Sequence, residues 1–229
     1  MRMDTIMMRW VRPVLAAGAM AIALWAVPAL AEGVKLRPID QAGTDPSFAK
    51  FRSALLEAVR RRDTDFVVGQ TSEDIKISFG GDEGREAFLG ALTGAEDWQG
   101  EAYWAELQRV LEMGAVRLDG GAFCMPYLAC MNIPGCPECD PYDTVVVTSA
   151  DTVARARPRD DAPVVARLAY DVLQMNHEVD GGEGWISVLL PGDRSGFVPA
   201  ADARMAIDYR ARFEKRGGTW RMTVFIAGD

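Results

Sequence analysis

Hydrophobic residues in the first half of the chain recur at the spacing of an amphipathic helix. Between residues 46 and 62 they recur at intervals of three or four positions, with one adjacent pair: Phe48, Phe51, Leu55, Leu56 and Val59. This is the period of one helix face. Asp45 is a suitable N-cap before Pro46 in the first turn, and three arginines at 60–62 suit the negative end of the helix dipole. We therefore predict a helix over 46–62.

The region from 74 to 118 alternates between strand and helix patterns. Residues 74–79 alternate apolar and polar side chains, which is typical of a strand. Apolar spacing predicts helices from Asp82 to Leu92 and from Trp98 to Met113, and the glycine after Met113 is a helix stop. A short strand is predicted at 115–118. Residues 32–122 are thus expected to form a mainly helical α+β unit.

The second half of the chain has a different pattern. From Tyr142 onward, short apolar segments are separated by turn residues every 8 to 12 positions, as in a small β-barrel. The predicted strands are 144–147, 164–168, 171–179, 184–189 and 195–199, followed by a hairpin over 209–226. We predict an α+β protein in which residues 142–229 form a small barrel with a C-terminal hairpin. The hairpin could instead return to pair with the N-terminal unit.

Three short motifs in this half resemble the bacterial SH3-like domain family. A-R-A-R-P at 154–158 stands where the family has N-V-R-x-G-P, with Arg157 at the position of the glycine. G-W-I-S-V at 184–188 matches the family's G-W-x-x-V. D-R-S-G-F-V at 193–198 ends in the expected G-F-V. The resemblance extends over about residues 145–204.

The resemblance implies a small barrel that binds extended peptides, or the peptide stems of a cell wall, in a groove between loops. It implies no catalytic chemistry. Tyr170, Trp185 and Phe197 are the candidate ligand-binding residues, since aromatic rings offer flat apolar faces to peptides and sugars. The alternative is that Trp185 and Phe197 only fill the barrel core.

The N-terminal residues 1–31 have the three-part pattern of a secretory signal peptide. Arginines precede a continuous apolar run at 14–27, and an A-x-A sequence ends at Ala31. The run is shorter than the roughly 20 residues of a spanning helix, although an uncleaved anchor is the alternative. No later stretch is apolar enough to span a bilayer. We expect a periplasmic or secreted protein with no integral membrane span after cleavage.

All four cysteines lie within a Cys/Pro-rich connector at 123–141: Cys124, Cys130, Cys136 and Cys139. In an exported protein this predicts two disulfides. We favour the nested pairs 124–139 and 130–136, which would close the base of the loop; the sequential pairs are the alternative. C-P-E-C also resembles half of a zinc site or a redox dithiol, but the second zinc knuckle and the following helix are missing. No metal and no cofactor are predicted.

Charge and histidine content restrict the function further. The chain has 25 basic and 33 acidic residues. Residues 1–31 hold three of the basic and one of the acidic residues, so the remainder has 22 against 32, a net charge of about −10. This disfavours nucleic acid as a partner. His177 is the only histidine and has no nucleophile motif nearby, so no catalytic residue is predicted.

These observations predict an exported, non-catalytic binding or scaffolding protein. Its SH3-like module would bind a cell-envelope peptide or a periplasmic protein. The alternative is a cell-wall hydrolase, or an inhibitor of such hydrolases, whose active surface lies in residues 32–122.

Overall fold

The computed structural model describes residues 33–95, 100–192 and 194–228. The predicted signal peptide and Trp98, at the start of a predicted helix, lie outside these residues. Residues from Gly33 onward form one compact unit. Its helices and strands make the protein α+β, as predicted. Within the described ranges, no helix has both the length and the apolar character needed to cross a bilayer.

The helices largely follow the predicted periodicity. They are α1 (Pro46–Arg60), α2 (Thr64–Gly69), α3 (Gly84–Thr93) and α4 (Gly100–Glu112), with 3-10 turns at Ala42–Thr44, Asp119–Gly121 and Tyr127–Ala129. The Asp45 carboxylate caps α1 by accepting the backbone N–H groups of Ser47 and Phe48. Asp82 does not cap α3, because the helix begins only at Gly84 with Glu83 at the N-cap position and no side-chain cap; the Asp82 carboxylate accepts a hydrogen bond from the Ser78 hydroxyl. Helix α2 was not predicted.

The described residues contain twelve strands in two sheets. The strands are β1 (Thr71–Lys76), β2 (Val116–Arg117), β3 (Phe123–Met125), β4 (Thr144–Val147), β5 (Thr152–Arg155), β6 (Val164–Leu168), β7 (Val172–Met175), β8 (Trp185–Leu190), β9 (Arg194–Pro199), β10 (Ala203–Met205), β11 (Arg210–Arg216) and β12 (Thr219–Ile226). The first sheet has the order β1-β12-β11-β3-β2, and the second has the order β10-β4-β7-β8-β9-β5-β6.

The C-terminal hairpin forms the centre of the first sheet. β12 pairs in parallel with β1, and β11 pairs in antiparallel with β3. The hairpin therefore lies with the N-terminal strands and not with the seven-stranded sheet. Helices α1, α3 and α4 pack against one face of this sheet and form its core with it. Phe48 of α1, for example, stacks on Phe123 of β3 with ring centroids 3.9 Å apart.

The second sheet is antiparallel and strongly hydrophobic on its inner face. Seven strands contribute to one buried cluster: Val145, Val147, Ala154, Leu168, Leu173, Val188, Leu190, Val198 and Ala203. No pairing joins β10 to β6 in the described part of the chain. The sheet is therefore open, and the predicted barrel is not closed. Strand β10, which lies at one edge, was not predicted.

A buried cation joins α4 to the edge of the second sheet. The Arg204 side chain in β10 is fully buried, and its Nη1 lies 2.8 Å from Glu106 Oε2 of α4. Its Nε lies 3.3 Å from Asp208 Oδ2. Neither approach has hydrogen-bond geometry, so both are ion pairs. Arg109 of α4 adds hydrogen bonds to the carbonyls of Ala200 and Ala203. These contacts hold the helical layer against β10.

Candidate functional site

Two of the predicted ligand-binding residues lie on the same face of the second sheet. Trp185 pairs with Pro199 across β8 and β9, and Ser187 pairs with Phe197. Because side chains alternate along a strand, Trp185 and Phe197 point to the face opposite Val188, which belongs to the core. Phe197 is only 8% exposed, whereas Trp185 is half-buried. Of this pair, Trp185 is the ring that a partner can contact.

The third predicted residue, Tyr170, lies elsewhere. It occupies the turn between β6 and β7 with a φ of 60°, and its carbonyl accepts the N–H of Leu36. The Arg37 guanidinium lies 5.5 Å from the centre of its ring. Since Gln174 pairs with Leu189, the register places Tyr170 beyond the Leu190 end of β8, whereas Trp185 begins that strand; the two residues are roughly 25 Å apart at strand spacing. The three rings therefore do not share one groove.

Gly196, in the G-F-V motif, has a packing role. A Cβ at this position would lie 2.9 Å from Leu190 Cδ1 and 3.2 Å from the Cβ of Ala154. Both neighbours belong to the core of the second sheet. The glycine thus permits close approach of three neighbouring strands, and its place in the motif reflects the core and not a ligand contact.

The connector is tied by two local disulfides, Cys124–Cys130 and Cys136–Cys139. The preference for nested pairs was wrong, and the sequential alternative is correct. Cys124 is held in β3, opposite Val116 on one side and Arg212 on the other. The 3-10 turn at Tyr127–Ala129 then brings Cys130 back to a Cα distance of 5.7 Å from Cys124, which suits a disulfide. All four cysteines are bonded.

An acidic groove lies between the connector and the second sheet. Its volume is about 320 Å³, and its carboxylates are those of Glu138, Asp140 and Asp143. Val34, Val172 and Leu173 supply apolar wall. No basic side chain is among the described residues that line it. We call this site the acidic groove; it suits a ligand with a cationic group and an apolar part.

A second groove also borders the Cys136–Cys139 ring. Its volume is about 470 Å³, and both of these cysteines line it as they line the acidic groove. The other described residues around it include Leu128, Ile133 and Pro141, and none of them is charged. The small ring closed by the Cys136–Cys139 disulfide therefore borders both an acidic groove and an uncharged one.

His177 contacts one of the carboxylates that line the acidic groove. Its Nε2 is 2.6 Å from Asp143 Oδ1, and both side chains are about half exposed. The hydroxyl of Thr144, which also lines the groove, donates to the carbonyl of Asp140. No cysteine thiol is free to act as a nucleophile. Among the described residues, no three histidine, cysteine, aspartate or glutamate side chains are grouped so as to hold a metal ion.

Comparisons with family models, curated proteins and solved structures found no significant match to the chain. The likeness to SH3-like domains therefore rests on the three motifs alone and stays a prediction.

Sequence reasoning missed the acidic groove, although one of its signals is present in the sequence. Three carboxylates fall within six positions, in E-C-D-P-Y-D at 138–143. The composition of this segment predicts only a connector between two units. The opposite wall comes from β7 and from Val34, and no local pattern indicates that these distant residues meet the connector.

Proposed function

We propose that the protein is an exported, non-catalytic binding or scaffolding protein that holds a cationic, extended peptide in the acidic groove. The peptide would belong to the cell envelope or to a periplasmic protein. The observation that supports this function is the combination of three carboxylates, an apolar wall and no basic lining residue in a groove of about 320 Å³. The seven-stranded sheet is interpreted as an open form of the SH3-like module.

Electrostatics favours an ammonium or guanidinium group as the part of the ligand that is recognised. A cleft lined by charges of one sign concentrates the electrostatic potential and attracts the opposite charge. Hydrogen bonds from an ammonium to carboxylates are stronger than those between neutral groups. The side chain of lysine, or of a diamino acid in a wall peptide, supplies such a group on an apolar stem.

Trp185 is proposed as a second contact on the same sheet. Its ring is half-buried on the face away from the core, and Leu189, four residues along β8, pairs with Gln174 of the acidic groove. Four residues of an extended chain span roughly 13 Å. A short peptide held along β8 would therefore reach from the acidic groove to Trp185.

The test is calorimetric titration of the purified protein with a lysine-containing wall-type pentapeptide and with its lysine-acetylated twin. We expect the free lysine peptide to bind and the acetylated peptide to bind about tenfold more weakly, since one charge-assisted contact is lost. Asp143→Asn and Glu138→Gln should each weaken binding by a similar factor. Asp65→Asn removes a carboxylate at an exposed position of α2 and should leave binding unchanged.

Two results would contradict the proposal. Equal affinity for both peptides, or for wild type and Asp143→Asn, would show that the carboxylates do not recognise the ligand. Release of soluble fragments from purified cell walls by the protein would favour the hydrolase alternative. Trp185→Ala distinguishes the Trp185 contact from the contact with the acidic groove. This variant should weaken binding of the full pentapeptide and leave binding of free lysine amide unchanged.

A further inference from the structure

The face of the first sheet that is turned away from the helices contains a groove of about 310 Å³. Its floor is apolar, with Leu118, Val224 and Ile226 among the lining residues. Lys76 of β1 and two arginines of β11, Arg210 and Arg212, also line it. No aspartate or glutamate is among its described lining residues. We call it the basic groove.

An exposed phenylalanine organises the cations of this groove. Phe79 is 52% exposed, and the Lys76 Nζ lies 4.9 Å from the centre of its ring. The Arg210 guanidinium lies 5.8 Å from the same centre and donates to the carbonyl of Gly228. These cation–π contacts hold two positive groups at the ring. Phe79 is therefore both an apolar contact surface and a support for charge.

The charge of the groove is opposite to that of the molecule. The chain has a net charge of −8, yet three cations meet here above an apolar floor. Within the described ranges, the Lys76 ammonium has no carboxylate at ion-pair distance, whereas Arg212 Nε is 2.8 Å from Glu214 Oε1. An anion with an apolar body would satisfy both parts of the surface. A free inorganic phosphate would leave the floor and Phe79 uncovered.

We infer that the basic groove binds a small anionic amphiphile of the class of medium-chain carboxylates. The carboxylate would lie between Lys76 and Arg212, and the alkyl chain would cover Val224, Ile226 and Phe79. A volume of about 310 Å³ is at the lower end of the range for small-molecule sites, about 300–1,000 Å³. The groove is therefore suited to a small ligand and not to a folded partner. This site does not depend on the function proposed for the acidic groove.

The experiment is a methyl-detected NMR titration of the whole protein with decanoate below its micelle concentration. We expect saturable shifts of the Val224, Ile226 and Leu118 methyl signals. Decyltrimethylammonium has the same alkyl chain length but a positive charge, and acetate has the carboxylate without the long chain. Neither compound should produce these shifts. Shifts produced equally by decanoate and decyltrimethylammonium would overturn the inference, as would decanoate shifts confined to other methyl groups.

Variants on the exposed surface test the named cations without disturbing the core. Lys76→Gln should weaken decanoate binding by about tenfold, as for one charge-assisted contact. Lys50→Gln, which removes the same charge at an exposed position of α1, should leave the affinity unchanged. Glu214→Gln should strengthen binding, because it releases Arg212. Equal affinities of the Lys76 and Lys50 variants, or no gain from Glu214→Gln, would contradict the inference.

Discussion

Asp45 joins two elements through one carboxylate. It caps α1 through the N–H groups of Ser47 and Phe48, and it lies 3.1 Å from the Lys215 ammonium of β11. The hydrogen bond from the Ser47 hydroxyl is the largest contribution that lowers the pKa of Asp45, followed by the bond from Lys215. The folded-state pKa is therefore well below its ordinary value of 3.8. The aspartate before a proline predicted the cap, but not the contact with β11.

We predict that Asp45→Asn makes stability less dependent on pH in the acidic range. Because folding lowers the pKa of Asp45, its carboxylate stabilises the protein fully above the unfolded-state pKa. That stabilisation is lost as the pH falls through the lowered folded-state value. The urea concentration at the midpoint of unfolding should therefore fall more for wild type than for Asp45→Asn when the pH is lowered from about 5 to about 3. Asparagine is also a good N-cap, so the comparison isolates the charge.

The control for this titration is Asp65→Asn, which removes a carboxylate at an exposed position of α2 and should retain the wild-type pH profile. Parallel profiles for wild type and Asp45→Asn would show that the contacts of Asp45 do not stabilise the fold through its ionised form.

At the scale of elements, the sequence predicts those with a long periodic signal. Helix α1 and strands β4 and β6 begin where the pattern places them, because each has a full apolar face. Strands β3 and β10 have three residues each, too few to show alternation. β10 also has Arg204 at its centre, and a lone arginine normally indicates exposure. The burial of Arg204 depends on two acidic partners: Glu106, which is distant in sequence, and Asp208, which is four residues away.

The junction between α4 and β10 gives the second prediction at this scale. Arg204→Met should reduce the free energy of unfolding by about 3 kcal/mol, because it leaves Glu106 without its buried partner. The double variant Arg204→Met/Glu106→Leu should recover part of this loss, since an apolar pair can replace an ion pair. Urea denaturation measures both. Arg167→Met, at an exposed position of β6, is the matched control.

A loss below about 0.5 kcal/mol for Arg204→Met, the range of ordinary surface substitutions, would contradict this account of the junction. Equal stability of the single and double variants would show that the destabilisation by Arg204→Met does not come from the Glu106 carboxylate that has lost its partner.

At the scale of the whole molecule, the chain forms part of the first sheet, then the whole second sheet, and finally returns to complete the first. Local sequence patterns alone do not determine this return. The turn predicts the hairpin of β11 and β12, but the local pattern leaves open whether this hairpin pairs with the N-terminal unit or with the second sheet. The structure shows the pairing with the N-terminal unit. Nor does the local pattern predict the acidic groove, whose carboxylates are adjacent in sequence while its apolar wall comes from elsewhere. The spacing of apolar segments and turn residues predicted most strands of the second sheet, but it predicted a barrel where the sheet is open.

We predict that residues 33–141 do not fold when they are produced alone. This fragment has all four helices but lacks β11 and β12, the strands that lie between β1 and β3. Its aromatic core would lose Phe213, Trp220 and Phe225. Circular dichroism and heat denaturation should show no cooperative transition for the fragment, whereas residues 33–229 should show one. Cooperative unfolding of the fragment would mean that the hairpin is an addition to an already complete unit.

Because β1 pairs with β12, the last strand of the chain, the first sheet can be completed only at the end of synthesis. A ribosome releases residues 71–76 long before residues 219–226, and the first sheet lacks its two central strands until the latter emerge. The apolar faces of α1, α3 and α4 must therefore remain uncovered while the seven-stranded sheet is translated. Nascent chains of this protein should for that period be clients of a chaperone that shields hydrophobic surfaces.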